Sequence, residues 1–190
     1  MIDTNGSIAT ARLLLRAPLE ADAPAIANYM LENREYHARW TRAWTNELGS
    51  ADHWAEWARQ AADDLAHDRA VRFLVFLAGD PSDLLGTINF TQIIRGAAQY
   101  CVLGYSLTER HEGNGYMTEA LRAAIRYMFG PMNLHRIMAN YMPENQRSGQ
   151  VLQRLGFRIE GMAQNYLYLN GAWRDHVLTS LTNPEWRAKE

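Results

Sequence analysis

The stretch from Gly104 to Arg126, GYSLTERHEGNGYMTEALRAAIR, constrains the fold of this chain most strongly. It begins inside an apolar segment that favours a β-strand up to Leu107, and it continues through a polar loop that contains Gly113 and Gly115. Apolar residues then follow at the spacing of one buried helix face: Met117, Leu121, Ala124, Ile125 and Met128. The stretch therefore predicts a strand, a glycine turn and a helix in direct succession.

A strand, a glycine turn and a helix in this order can form a phosphate-binding site. Glycines let the backbone approach a ligand, and the first N–H groups of a helix have no partner within it. Two glycines alone are weak evidence, because they could simply permit a turn with positive φ. No Gly-Lys-Ser/Thr follows, which excludes a Walker-type loop. The position beyond the middle of the chain argues against a dinucleotide fold.

The composition predicts a single domain over residues 1–190. Hydrophobic residues make up 47% of the chain and charged residues 21%, as in ordinary globular proteins. The net charge of −2 provides no basic field for nucleic acid, so we expect no nucleic-acid partner. Cys101 is the single cysteine, which fits a reducing compartment, and we expect it to be an inert core residue. Neither a signal peptide nor a membrane-length apolar run is recognisable, so we predict a cytoplasmic protein without a membrane partner.

The remaining pattern alternates between helices and strands and indicates an α+β fold. Helices are predicted over residues 23–33 and 50–67, with Asp22 and Ser50 as N-caps, and after Asn145. Strands are predicted over residues 10–17, 71–78, 84–94, 99–107, 134–142, 158–169 and 173–181. The last two flank Asn170-Gly171, a strong hairpin signal. Residues 1–9 and 183–190 are expected to be loose ends.

Four short motifs stand in a characteristic order along nearly the whole chain: TARLLLR at residues 10–16, GNGYMTEA at 113–120, NQRS at 145–148 with LGF nearby, and WRDHVLT at 173–179. With these motifs the chain resembles the GNAT acetyltransferase superfamily and, within it, the RimJ-type ribosomal-protein-alanine N-acetyltransferases. The resemblance implies a mostly antiparallel central sheet, flanked by helices and splayed between the glycine-loop strand and the next strand. It also implies direct transfer of an acetyl group from acetyl-CoA to an amine, without a metal.

The glycine loop departs from the superfamily pattern Gln/Arg-x-x-Gly-x-Gly/Ala. Arg110 could open that pattern literally, but the loop would then be short. We prefer the register that places Glu112 at the Gln/Arg position, Gly115 at the first glycine and Met117 at the last. Because a carboxylate repels a pyrophosphate, we expect Glu112 to face solvent or to pair with a neighbour such as Arg110. The backbone N–H donors of the loop do not depend on the side chains at Glu112 and Met117.

The resemblance assigns the cofactor-binding residues to three segments. They are Tyr105, Ser106 and Leu107 on the strand; Gly113, Asn114, Gly115, Tyr116, Met117 and Thr118 in the loop; and Asn145 and Ser148 on the next helix. It implies that the Leu107 N–H supports the thioester oxygen and that Ser148 faces the thiol as an acid. Many GNAT enzymes have a tyrosine where this chain has Leu152. Asn145 could also be only an N-cap, and Ser148 an ordinary first-turn serine.

The acceptor groove is expected between the Trp-rich N-terminal helices and the closing hairpin. Its candidate substrate-binding residues are Trp40, Tyr166, Asp175 and His176. Asp175 and His176 could orient an amine, or they could only form a polar pair with each other. The leading hypothesis is an N-α-acetyltransferase that acts on an alanine- or serine-type protein N-terminus, with a ribosomal protein as precedent, and that exists as a monomer or homodimer.

Two other functions remain open at this point. The acceptor could be a small amine, such as a polyamine, an amino acid or an aminoglycoside, although Asp63 and Asp64 alone do not establish an acidic groove. The chain could also be a CoA-binding sensor or assembly factor with little turnover. Glu112 and Leu152 leave that possibility open, whereas Asn145 and Ser148 argue against it.

Overall fold

The computed structural model describes residues 7–188. In this part of the chain the strands are β1 Ile8–Ala9, β2 Leu13–Arg16, β3 Val71–Leu77, β4 Asp80–Ile94, β5 Tyr100–Leu107, β6 Arg136–Tyr141, β7 Arg158–Leu169 and β8 Ala172–Thr182. The helices are α1 Ala23–Glu32, α2 Arg34–His37, α3 Ala51–Ala66, α4 Tyr116–Phe129 and α5 Gln146–Arg154. The predicted α+β class is confirmed. None of the helices in residues 7–188 is long and apolar enough to cross a membrane.

The strands form one sheet in the order β1-β2-β3-β4-β5-β6-β8-β7. The pairs within it are antiparallel except for β5 and β6, which run parallel. The parallel register runs from Tyr100↔Arg136 to Leu103↔Ala139 and ends there, although β5 continues to Leu107. The strands therefore separate beyond Leu103, which confirms the predicted splay between the glycine-loop strand and its neighbour.

Helices cover both faces of the sheet. One core lies against α4 and α5 and includes the fully buried Leu121 and Ile137. The other lies against α1 and α3 and includes Ile26 and Phe76. Each large apolar side chain buried in this way contributes roughly 1.5–3 kcal/mol of transfer free energy. Cys101 is buried in the first core, where burial raises the pKa of its thiol to about 12, as an inert core cysteine requires.

Because side chains alternate along a strand, the two faces can be assigned by residue parity. On β5, Leu103 and Tyr105 point to the α4–α5 face, whereas Ser106 points to the α1–α3 face and bonds Tyr29 of α1. Across the parallel register the even-numbered Asn140 of β6 shares the face of Ser106. This alternation decides which side of the sheet each functional residue serves.

The predicted loose ends are partly wrong. Ile8 is buried and pairs with Leu15, and Asn183 donates its side-chain amide to the carbonyls of Phe129 and Leu134. A two-residue strand has too few positions to show a period, and a single buried asparagine gives no pattern at all. Residues 1–6 and 189–190, which belong to the same prediction, lie outside the described residues.

Asp22 and Ser50 occupy the predicted N-cap positions of α1 and α3, but neither side chain bonds the first turn of its helix. The Asp22 carboxylate instead accepts two 2.6 Å bonds from Arg16. Burial alone would raise the pKa of Asp22, but the bonds from Arg16 lower it. At Asp22, the ion pair with Arg16, six residues earlier, therefore takes the place of a bond to the first turn.

Candidate active site

The end of β5 exposes backbone hydrogen-bonding groups to the gap beside β6. Thr108 N–H donates to the Leu85 carbonyl of β4 at 2.8 Å. Bonded and non-bonded pairs alternate along an antiparallel ladder, so the polar backbone groups of Leu107 and Tyr105 point away from β4. The Leu107 carbonyl accepts a bond from His37 Nε2 at 2.9 Å. The Leu107 N–H faces the gap, where it can bind an extended, amide-bearing ligand.

A groove of about 1940 Å³ runs along this gap and past the glycine loop. Every residue predicted to bind the cofactor lines it, from Tyr105 to Ser148. Of the predicted acceptor residues, Trp40 and His176 line the groove, whereas Tyr166 and Asp175 do not. The structure therefore brings the predicted cofactor residues together and separates the acceptor residues into two groups.

The glycine loop forms an open backbone cradle at the start of α4. Gly113 and Gly115 both have φ of +76°, which strongly favours glycine. A Cβ atom at Gly113 would meet nothing within 4 Å, and one at Gly115 would meet only Arg12 at 3.7 Å. The helix begins at Tyr116, directly after Gly115, so the N–H groups of its first turn remain available to an anion. This arrangement fits a pyrophosphate.

Arg12 supports the glycine loop from the side, a role that the sequence analysis missed. It donates to the Asn114 carbonyl at 3.0 Å and to the Glu119 carboxylate at 2.7 Å, and its guanidinium lies 4.6 Å from the Tyr116 ring. Glu119 also accepts a bond from Thr10 at 2.6 Å. Burial would raise the pKa of Glu119, but these bonds lower it. The motif at residues 10–16 therefore positions the loop. In the sequence, the only indication that this motif matters was its presence among the motifs of the family resemblance.

Glu112 is neutralised by a residue that the sequence did not suggest. Its carboxylate pairs with Arg147 of α5 and accepts a bond from the Tyr36 hydroxyl, which lies 3.0 Å from Arg147 Nη1. Arg110, the expected partner, instead pairs with Asp83. Burial and the Glu112 carboxylate raise the pKa of Tyr36 to about 12. The pairing links α2, the loop and α5 across the groove, and it offsets the repulsion expected at the loop.

Asn145, Ser148 and Tyr105 form a connected set beside the gap. Asn145 Oδ1 accepts the Ser148 N–H at 3.1 Å, so Asn145 is an N-cap. The Ser148 hydroxyl lies 2.7 Å from the Tyr105 hydroxyl, and burial raises the pKa of Tyr105 to about 12. Leu152, at the position where many GNAT enzymes have tyrosine, is a buried core residue. The Tyr105 side chain thus joins the site, whereas the sequence analysis considered only its backbone.

Polar contacts on the α1–α3 face fix the same end of β5. The Ser106 hydroxyl lies 2.8 Å from Tyr29 Oη and 3.0 Å from Thr87 Oγ1. Burial raises the pKa of Tyr29, so its hydroxyl stays protonated. Burial lowers the pKa of His37, which bonds the Leu107 carbonyl. The strand end is therefore held from one face while its N–H groups stay open to the gap.

The closing hairpin places His176 and Asp175 on opposite sides. His176 is only 3% exposed, its Nδ1 lies 3.0 Å from the Arg174 carbonyl, and its ring contacts Tyr166 at 5.5 Å. Asp175 accepts the Asn165 N–H within the hairpin at 2.8 Å. The suggested mutual pairing is absent, because consecutive residues of a strand face opposite ways.

The family model for the acetyltransferase (GNAT) domain matches residues 12–158 of the chain. The chain belongs to the GNAT acetyltransferases. Like the family, it is an acyltransferase that uses acetyl-CoA, and its open groove and glycine cradle fit that molecule.

The chain is similar over most of its length to proteins with named activities. It is 42% identical to the [ribosomal protein uS5]-alanine N-acetyltransferase of Escherichia coli (strain K12), covering 94% of this chain and 92% of that protein. The crystal structure of the ribosomal-protein-S5-alanine acetyltransferase of Vibrio fischeri superimposes with a TM-score of 0.92, at 36% identity, over 96% of this chain and 99% of that one. Mycobacterium smegmatis RimJ in complex with CoA-disulfide gives a TM-score of 0.84 at 28% identity, over 93% of this chain and 85% of that one.

Proposed function

We propose that this protein is an N-α-acetyltransferase that moves the acetyl group of acetyl-CoA to the N-terminal alanine of ribosomal protein uS5. The observation that carries this proposal is the 42% identity to the E. coli uS5-alanine enzyme, which extends over nearly all of both chains. That similarity includes the hairpin and N-terminal elements that border the groove. The proposal places the enzyme in the cytoplasm as a monomer or homodimer, acting without nucleic acid.

On the α4–α5 face, the residues of this chain would hold the acetyl donor. Acetyl-CoA supplies a thioester, whose acyl carbon is open to attack by an amine. The first-turn N–H groups after Gly115 bind the pyrophosphate, and the Asn145 amide and the β5 backbone bind the pantetheine arm. The Leu107 N–H donates to the thioester oxygen. Ser148, bonded to Tyr105, donates a proton to the departing thiolate.

The acceptor N-terminus enters from the opposite, α1–α3 face. Strand parity places Ser106 and Asn140 on that face, and His176 shares it through the β6–β8 register. Trp40 lines the same groove. Tyr166 lies at its margin, where its hydroxyl accepts from Asn140 at 3.3 Å, and Asp175 supports the hairpin instead. An extended peptide end can therefore reach the gap without crossing the CoA-binding loop.

The charges of the groove do not favour a polyamine or aminoglycoside acceptor. Six arginines and five glutamates line it, so acidic groups are not in excess. The acidic pair Asp63–Asp64 is neutralised elsewhere by Arg69 and Arg72. The sensor hypothesis is weakened as well, because Arg147 neutralises Glu112 and the Ser148–Tyr105 pair is intact.

A panel of acceptors tests this proposal. Thiol release from acetyl-CoA would be measured with peptides beginning with Ala, Ser or Met, and with spermidine, free alanine and an aminoglycoside. We expect turnover with free peptide N-termini, fastest for Ala. The matched control is the Ala peptide with its α-amine already acetylated, which should be inert. Turnover with small amines alone would contradict the proposal, and CoA binding without any acetylation would support the sensor hypothesis.

A further inference from the structure

His176 is a buried imidazole at the floor of the groove that the proposed chemistry has not used. It is 3% exposed, lies on β8, and lines the groove together with Leu107 and Asn140. Its ring packs against Tyr166, whose hydroxyl is bonded by Asn140. The Tyr166 contact is uncharged, so the His176 ring is held in place without an ion pair.

The hydrogen bond of His176 determines which ring nitrogen is free. The Arg174 carbonyl can only accept, so Nδ1, at 3.0 Å, must carry the proton. In the neutral form of the ring the lone pair is then on Nε2, with which no described residue forms a hydrogen bond. Buried side-chain nitrogen and oxygen atoms in the described residues all have partners, so an unpartnered Nε2 keeps some exposure to solvent, and His176 is one of the residues that line the groove. The bond from Nδ1 therefore orients the ring so that Nε2 is the nitrogen that can accept a proton.

The other titratable groups of the groove are poorly suited to accept a proton. His37 Nε2 donates to the Leu107 carbonyl, so the nitrogen that faces the strand end is already protonated and cannot accept a proton there. Glu112 is paired with Arg147, and Glu119 with Arg12. Glu35, Glu109 and Glu144 are exposed to solvent at the groove rim.

We propose that His176 is the general base of the transfer reaction, an inference that rests on the proposed function. The nitrogen of the neutral amine forms a bond to the acyl carbon of the acetyl thioester. One N–H bond of the amine breaks, and its proton moves to Nε2 directly or through a water molecule. The C–S bond then breaks, and the thiolate takes a proton from the Ser148 hydroxyl. The imidazolium later releases its proton to solvent along the groove, and the Ser148 oxygen takes up a proton from the same solvent.

His176→Gln tests this assignment, because the Gln amide oxygen keeps an acceptor near the Nε2 position but cannot take a proton. We expect kcat with the best acceptor of the panel to fall about 100-fold. CoA and acceptor affinities, measured by calorimetry, should change less than about twofold. The matched control is His135→Gln, an exposed histidine outside the groove, which should leave kcat unchanged. Addition of imidazole should partly restore the rate of His176→Ala.

A second readout does not depend on activity. Nitrogen NMR of the wild-type imidazole should show the Nδ1–H tautomer of His176, even if the variants fail to fold. An Nε2–H tautomer, or full activity of His176→Gln, would overturn the assignment while leaving the proposed function intact. If the panel reveals only a small amine acceptor, the proposed function fails, and the same His176 variants are tested with that amine.

Discussion

At the scale of single residues, the chemistry depends on contacts between side chains far apart in sequence. Ser148 was predicted from its motif, but its bond to the Tyr105 hydroxyl joins α5 to β5 across 43 positions. Glu112 meets Arg147 in the same way, 35 positions away. A sequence pattern shows which residue types are present, whereas the partner of each depends on how the elements pack. The motif therefore indicates which residues lie at the groove, but their hydrogen-bond and ion-pair partners could not be predicted.

Ser148→Ala should slow acetyl transfer about tenfold and leave CoA affinity nearly unchanged. The effect is modest because a thiolate from a thiol of pKa about 8.5 leaves fairly well without an acid. Steady-state kinetics and calorimetric CoA binding check this result, with Ser82→Ala at the exposed start of β4 as the matched control. Equal losses of rate and CoA affinity would show that Ser148 serves binding rather than proton transfer.

At the scale of elements, the strand, loop and helix around Gly115 follow directly from local sequence. The helix face, the glycines with positive φ and the Asn170-Gly171 hairpin all have short-range signals, and the structure has them. β1 was missed because its two residues are ordered by pairing with β2, a tertiary contact. Local periodicity therefore predicts long elements well and short edge strands poorly.

Gly115→Val should weaken CoA binding about tenfold. The φ of +76° strains a β-branched residue, and its side chain would enter the backbone cradle. Gly96→Val is the matched control, because Gly96 also has positive φ and open space but lies in the β4–β5 turn. Calorimetric CoA affinity distinguishes the two variants. Equal weakening in both would indicate a general folding defect and would contradict a phosphate-binding role of the loop.

At the scale of the whole molecule, the proposed function gives the two substrates separate faces of one sheet, on either side of the gap between β5 and β6. Tyr105 and Ser148 serve the α4–α5 face, and Ser106 and His176 serve the other. The splay was expected from the family resemblance alone, since no periodicity reveals that β8 inserts between β6 and β7. Of the predicted acceptor residues only Trp40 and His176 line the groove, and a one-residue step along β8 separates His176 from Asp175.

The most direct test of the account is to locate the acetyl group on purified ribosomal protein uS5. The alanine-initiated protein would be incubated with acetyl-CoA and the enzyme, then digested and sequenced by mass spectrometry. We predict one added acetyl group, on the N-terminal alanine, and none on lysine side chains. Acetylation confined to lysines, or an unmodified N-terminus under conditions where a small amine is acetylated, would contradict the account.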